Sequence, residues 1–178
     1  MNICNAIGWR IGYSVGPSNL INPIKALHSA INFSTSTPLQ KSAARAFQKA
    51  EDENYFTWLP QMLQDKRDLF CSGLADVGID FILPKGGYFV VAKIDPKYFD
   101  MAGIDMTVKT PPDALLESRR DVQFSRFLTT EIGVSPIPMS PFYAPSERYL
   151  ADDYVRFAYC KDDDTLKAAI QRLKSAFV

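Results

Sequence analysis

Histidine is almost missing from this sequence: His28 stands alone among 178 residues. Cysteine is scarce too, and Cys4, Cys71 and Cys160 are odd in number and far apart. Neither a zinc site nor a disulfide framework can be built from so few, widely spaced ligands. A metal is therefore not expected, and the thiols read as free in a reducing compartment. Net charge is absent, since 20 Lys and Arg cancel 20 Asp and Glu. That balance removes the broad positive field that gathers nucleic acid or an anionic membrane surface. No apolar run approaches the roughly 20 residues of a membrane-spanning helix. The first residues lack the succession of basic start, apolar stretch and small-residue cleavage site, so secretion is not expected. The cytoplasm is the expected location, with a mitochondrion left open should a targeting peptide have been lost. No internal repeat or low-complexity stretch occurs.

What is present is core-forming material, with 47% hydrophobic and 12% aromatic residues in a chain long enough for one or two domains. Ser18–Ile31 carries Ile24, Leu27, Ala30 and Ile31 at helical spacing, with Ser18 or Asn22 as cap. His28 falls inside it and reads as a helix-surface or partly buried residue rather than a catalytic base. Thr37 as N-cap and Pro38 in the first turn predict a helix to Lys49. After the charged break Glu51-Asp52-Glu53, a longer helix runs from about Phe56 to Val77, with Pro60 near its start and Gly78 as C-cap. The grammar then changes to strands: Asp80–Pro84, a turn at Lys85-Gly86-Gly87, and Tyr88–Ile94. Asp95–Ser118, holding Pro96, Pro111 and Pro112, shows no sustained period and reads as irregular. Asp121 is the cap candidate for a helix bearing Phe124, Phe127, Leu128 and Ile132 that ends at Gly133. Val134–Met139 is extended, and Ser140–Asp153 is a loop. Tyr154–Cys160 reads as a strand, and Asp162-Asp163-Asp164 open a final helix with Leu166, Ala169, Ile170, Leu173 and Phe177 as its buried stripe. A helix-rich first part thus feeds an α+β second part.

Two arginines are candidates for chemistry. In Gly8-Trp9-Arg10-Ile11-Gly12-Tyr13-Ser14-Val15-Gly16-Pro17, alternation predicts a short strand, and glycines on either side of Arg10 leave its guanidinium open to a bulky anion such as a phosphate. Read alone, the run is equally an edge strand with one solvated Arg. Arg156 sits mid-strand on the face shared by Tyr154, Ala158 and Cys160, while Val155, Phe157 and Tyr159 point the other way. A buried, unpaired guanidinium costs about 3–5 kcal/mol, so Arg156 must meet water, a carboxylate or a ligand. Its planar fork suits a carboxylate held by two parallel bonds, and small Ala158 leaves room for one. Taken by itself, a solvated sheet-face Arg is the simpler reading.

The ordered set tips that balance. G-W-R-I-G, a polar T-x-x-Q joint, G-G-Y-F, V-S-P-I-P-M-S-P-F-Y and V-R-F-A-Y resemble, in this order, the C-terminal part of class I aminotransferases of fold type I. The kynurenine–oxoglutarate transaminase and cysteine-S-conjugate β-lyase branch looks most similar. The resemblance implies an α/β fold whose C-terminal part is α+β. It also implies a remnant of the large cofactor-binding domain over 1–45, connecting helices over 46–78 and a small domain over 79–178. Pyridoxal 5'-phosphate (PLP) is the implied cofactor, and an amino acid and a 2-oxo acid are the implied substrates. Arg10 matches the residue that grips the cofactor phosphate, and Arg156 the one that binds the substrate α-carboxylate. Phe33 matches an aromatic lent to the neighbouring subunit's pocket, which implies a homodimer. Gly87 and Tyr88 would start the small-domain strand facing the site, although an ordinary turn-to-strand junction reads equally well. One departure is large: the family's motif, K-x-x-x-x-x-G-x-R-x-G, places its Schiff-base Lys where Asn2 stands. An amide can neither attach the cofactor nor move a proton as that amine does, so a chain without catalytic turnover of its own is expected. The alternative is a non-catalytic piece that pairs with full-length subunits.

Overall fold

The computed structural model describes residues 7–105, 111 and 114–178, so Asn2, Cys4 and Pro112 lie outside the described residues. The chain divides into two compact units, Met1–Pro60 and Gln61–Val178.

In the first unit, a 3-10 turn over Ile7–Trp9 gives way to irregular backbone that runs to Pro17. The strand expected there does not form. A strand needs a partner for its backbone groups, and every paired strand among the described residues lies in the other unit. Helix α1, Ser18–Ile31, starts on Pro17, whose carbonyl accepts from Leu20 and Ile21 N–H at 3.0 Å each. Neither Ser18 nor Asn22 caps it through a side chain. Helix α2, Thr37–Asp52, has Ser36 rather than Thr37 at its N-cap, and it runs through Glu51 and Asp52 instead of stopping at Lys49. A Lys49–Glu53 pair at 3.5 Å spans that end, one turn apart on the same face. Helix α3, Tyr55–Val77, ends where Gly78 turns left-handed (φ 78) and Ile79 N–H reaches back to Leu74 O at 3.0 Å.

The second unit is built on one antiparallel sheet of order β1-β2-β4-β3, with β1 Asp80–Ile82, β2 Phe89–Lys93, β3 Ile137–Pro138 and β4 Tyr154–Ala158. Its buried face carries Val90 and Ala92 of β2 and Val155 and Phe157 of β4, all nearly inaccessible. Phe70, Leu74 and Val77 of α3 pack on that face with Leu166 and Leu173 of helix α6, Asp163–Phe177. The stretch expected to be irregular holds helix α4, Pro96–Met101, which buries Tyr98 and Phe99. Asp95 caps it by accepting Lys97 N–H at 2.9 Å, and Pro96 fills the first turn, where its missing N–H is not needed.

Helix α5, Arg120–Phe127, continues as a π-helical turn through Ile132 and stops at left-handed Gly133. Asp121 is not its cap: Arg119 holds that position, and Asp121 is buried in the first turn. Three consecutive residues there tie the helix to two later segments. Arg119 pairs with Asp152 at 2.9 Å, both fully buried, and Arg120 grips Asp153 through Nε and Nη2 at 3.0 and 2.6 Å. Asp121 Oδ2 accepts Ser140 N–H at 2.7 Å. The first two bonds place the entry to β4, and the third places a 3-10 turn over Ser140–Phe142.

Candidate functional site

The open face of the sheet is where Arg156 emerges. In register it lies opposite Val91 on β2 and Ile137 on β3. Alternation sends Val155 and Phe157 into the core and leaves Arg156 half-buried between them, on the face the sequence assigned to it. Two aromatic rings flank the guanidinium. Its Cζ lies 4.0 Å from the centroid of Phe89 and 4.5 Å from that of Phe142. The two rings make no contact with each other, so they approach from different sides. Nε is buried without a hydrogen-bond partner, whereas neither Nη belongs to the buried, unpartnered atoms. No carboxylate among the described residues pairs with this cation. The result is a guanidinium held beside two rings by cation–π contacts, with its Nη groups accessible.

Of the other residues singled out from sequence, Gly87 and Tyr88 precede β2. Gly87 takes φ 88, a value glycine adopts freely, and its carbonyl accepts from Tyr159 Oη at 2.9 Å. Tyr88 meets Phe89 edge-on at 6.5 Å and accepts Tyr159 N–H at 3.0 Å, so Phe89, not Tyr88, supplies the ring over Arg156. Phe89 shares a face with Val91 by two-residue alternation, but the register that sets Val91 opposite Arg156 comes only from the fold. Phe142 carried no such signal. Burial pushes the Asp121 carboxyl above its ordinary range, opposed by the Ser140 N–H that it accepts.

Arg10 and Phe33 belong to the first unit. Both take left-handed backbone, φ 54 and φ 60, a conformation costing about 1–2 kcal/mol for a residue with a Cβ and concentrated at functional positions. Arg10 is exposed, and a Cβ placed on Gly8 or Gly12 would meet nothing within 4 Å, so open space surrounds it on both sides. Phe33 is 89% exposed. It follows α1, which buries none of its residues although Leu20, Ile24, Leu27 and Ile31 recur at helical spacing. Among the described residues no three His, Cys, Asp or Glu side chains converge as metal ligands, and no helix is long and apolar enough to cross a membrane.

Known proteins of similar sequence and fold belong to one family. The model of the family "Aminotransferase class I and II" matches residues 4–173. A kynurenine–oxoglutarate transaminase of Dictyostelium discoideum is 37% identical over 166 residues, covering 93% of this chain and 38% of that protein. Mouse kynurenine–oxoglutarate transaminase 1 is 30% identical over 176 residues, 96% of this chain and 40% of that one. The crystal structure of Bna3p from Saccharomyces cerevisiae superposes with a TM-score of 0.78 at 31% identity, over 96% of this chain and 39% of that one. N-succinyldiaminopimelate aminotransferase from Mycobacterium tuberculosis gives a TM-score of 0.72 at 30% identity, over 97% of this chain and 39% of that one. The chain therefore spans about two fifths of the length of the relatives it matches. Within that span its mixed helix-and-sheet architecture is that of a fold-type I aminotransferase, and the chain belongs to the class I and II aminotransferase family.

Proposed function

We propose that this chain supplies the C-terminal, carboxylate-binding portion of a PLP-dependent transaminase of amino-acid metabolism. The parent reaction moves an amino group between an amino acid, kynurenine or glutamine among the candidates, and a 2-oxo acid. The observation that carries this reading is Arg156: a cation flanked by two rings, with no paired carboxylate among the described residues, in a chain of this family. Its two Nη groups would hold the substrate carboxylate through parallel bonds, and the rings would keep water from competing for them. Members of the family use PLP, which when bound supplies an electron sink for the substrate carbon. The Arg10 segment fits the phosphate end of that cofactor, being an exposed guanidinium with space on either side. Tyr88, next to Phe89, would line the same strand's approach to the substrate. The cytoplasm remains the location we favour, consistent with the free thiols of Cys71 and Cys160.

Alone, these 178 residues would not turn over, because Asn2 stands at the position of the family's lysine. The recombinant chain, mixed with PLP and treated with borohydride, should show no adduct at one unique lysine by mass spectrometry. It should also form no amino-acid product from kynurenine and 2-oxoglutarate. A single modified lysine together with turnover would overturn the inactivity.

The exposed stripe of α1 and the strained, exposed Phe33 favour a second role, homodimer-like pairing with full-length subunits of the same family. Co-expression with an intact homologue followed by pull-down should recover a mixed dimer, and Phe33→Gly should weaken it. Equal recovery with the Gly variant would remove Phe33 from that interface.

A further inference from the structure

We propose that a cavity between β4 and α6 binds a small monoanion with an apolar tail, of which a short-chain carboxylate is the simplest. The cavity measures about 370 Å³, within the range of small-molecule sites (about 300–1,000 Å³). It exists because the sheet stops short. β3 pairs only with Val155 and Arg156, so Phe157 and Ala158, at the end of β4, have no strand beside them on that side. Ala158 on β4 and Ala168 and Ala169 on α6 line the gap with side chains too small to fill it. Phe70, Phe157 and Leu166, all core residues, give it an apolar wall.

The charged side chains lining this cavity are Lys161 and Arg172, and no Asp or Glu joins them. Neither cation pairs with a carboxylate among the described residues. Arg172 is held in place: Nη1 donates to Gly133 O at 2.6 Å and lies so close to that glycine that a Cβ there would meet it at 2.8 Å. The carboxylates next along the chain are engaged elsewhere. Asp162 accepts the Thr165 N–H and hydroxyl at 2.8 Å each, and Asp163 accepts from Lys66 Nζ at 2.6 Å. Two positive charges without a carboxylate partner, beside an apolar wall, match an anion whose head takes charge-assisted hydrogen bonds while its tail leaves water.

The test uses the full chain with 13C-methyl alanine, following the signals that disappear in Ala158→Ser and Ala168→Ser. Hexanoate should move both signals and saturate. Butyrate should bind about tenfold more weakly, since each buried methylene is worth a factor of about three to four. 1-Hexanol, which keeps the tail and lacks the charge, should bind about fivefold more weakly. Lys161 is exposed, so Lys161→Met should fold; it should weaken hexanoate about fivefold and leave hexanol unchanged, a pattern that loss of folding would not give. Ala169→Leu, which puts bulk into the cavity, should remove the response, and Arg156→Lys should keep it. No movement of either signal with hexanoate, equal binding of hexanoate and hexanol, or full hexanoate affinity in Lys161→Met would overturn the proposal. A response lost in Arg156→Lys would assign it to that residue and overturn the proposal as well.

Discussion

Replacing Asp152 with Asn removes one charge from a pair that water does not reach. The Arg119 side chain is 0% exposed and that of Asp152 3%, with Nη1 and Oδ1 2.9 Å apart. Stripping the partner from a buried guanidinium typically costs about 3–5 kcal/mol. Coulomb attraction at this spacing with an effective dielectric near 20 is also about 4–6 kcal/mol. The Asn amide keeps one neutral hydrogen bond, worth about 1 kcal/mol, and Arg119 Nη2 keeps its bond to Pro111 O at 3.2 Å, so a loss of about 3 kcal/mol is expected. With a urea slope of about 2 kcal/mol per molar, the unfolding midpoint should fall by about 1.5 M. Both tryptophans, Trp9 and Trp58, lie in the first unit, so tyrosine near-UV circular dichroism is the suitable probe; Tyr98 and Tyr159 are buried in the second. The double variant Arg119→Met with Asp152→Leu removes both charges and should recover most of the loss. A midpoint shift below about 0.3 M for Asp152→Asn, or no recovery in the double variant, would refute the reasoning.

Gly73→Ala should destabilise by about 1–3 kcal/mol despite the better helix propensity of alanine, because its Cβ would sit 2.5 Å from Ile170 Cγ1 and 2.8 Å from Cγ2. Adding Ile170→Ala should relieve the clash, and thermal unfolding of the three variants decides. Stability should also depend on acidity in two opposed ways. Thr165 N–H and then its hydroxyl, bonded to the Asp162 carboxylate, hold that group below its ordinary range, as the bond from Lys66 Nζ does for Asp163. Their contributions are complete above the unfolded value of about 3.9 and vanish as pH falls through the lowered folded values. Burial raises the Asp121 carboxyl instead, so stability declines as pH climbs from about 3.9 toward its folded value. Urea midpoints against pH should show a shallower acid-side slope in Asp162→Asn, where Asp163 still contributes, and should lose the slope above it in Asp121→Asn. Unchanged slopes in either variant would contradict the assignment.

Much of the site was legible where a period existed. Two-residue alternation placed Arg156 on the open face and Val155 and Phe157 in the core, because a pleated strand leaves no other choice once one face is apolar. Helical spacing found α1 and α6, and Gly78 and Gly133 marked ends that need a left-handed residue. Where the signal was a side chain acting at a distance, reading failed. Asp121 looks like a cap beside a helix, and only its partner, Ser140, shows that it anchors a turn. Arg119-Arg120 pair with Asp152-Asp153 only in the fold, since nothing local in the sequence joins them. The Gly8–Pro17 alternation misled because alternation describes a strand only when a neighbour completes its ladder.

The amino-acid sequence by itself thus determined the family, through its ordered motifs, and the longer helices, the strand faces and the two guanidinium candidates, which depend on residue type and short-range period. Tertiary structure alone decided which rings hold Arg156 and why Gly73 must lack a side chain. Those facts depend on atoms brought within about 4 Å from segments far apart in the chain, a distance at which dispersion and cation–π attraction act and along which no sequence period runs.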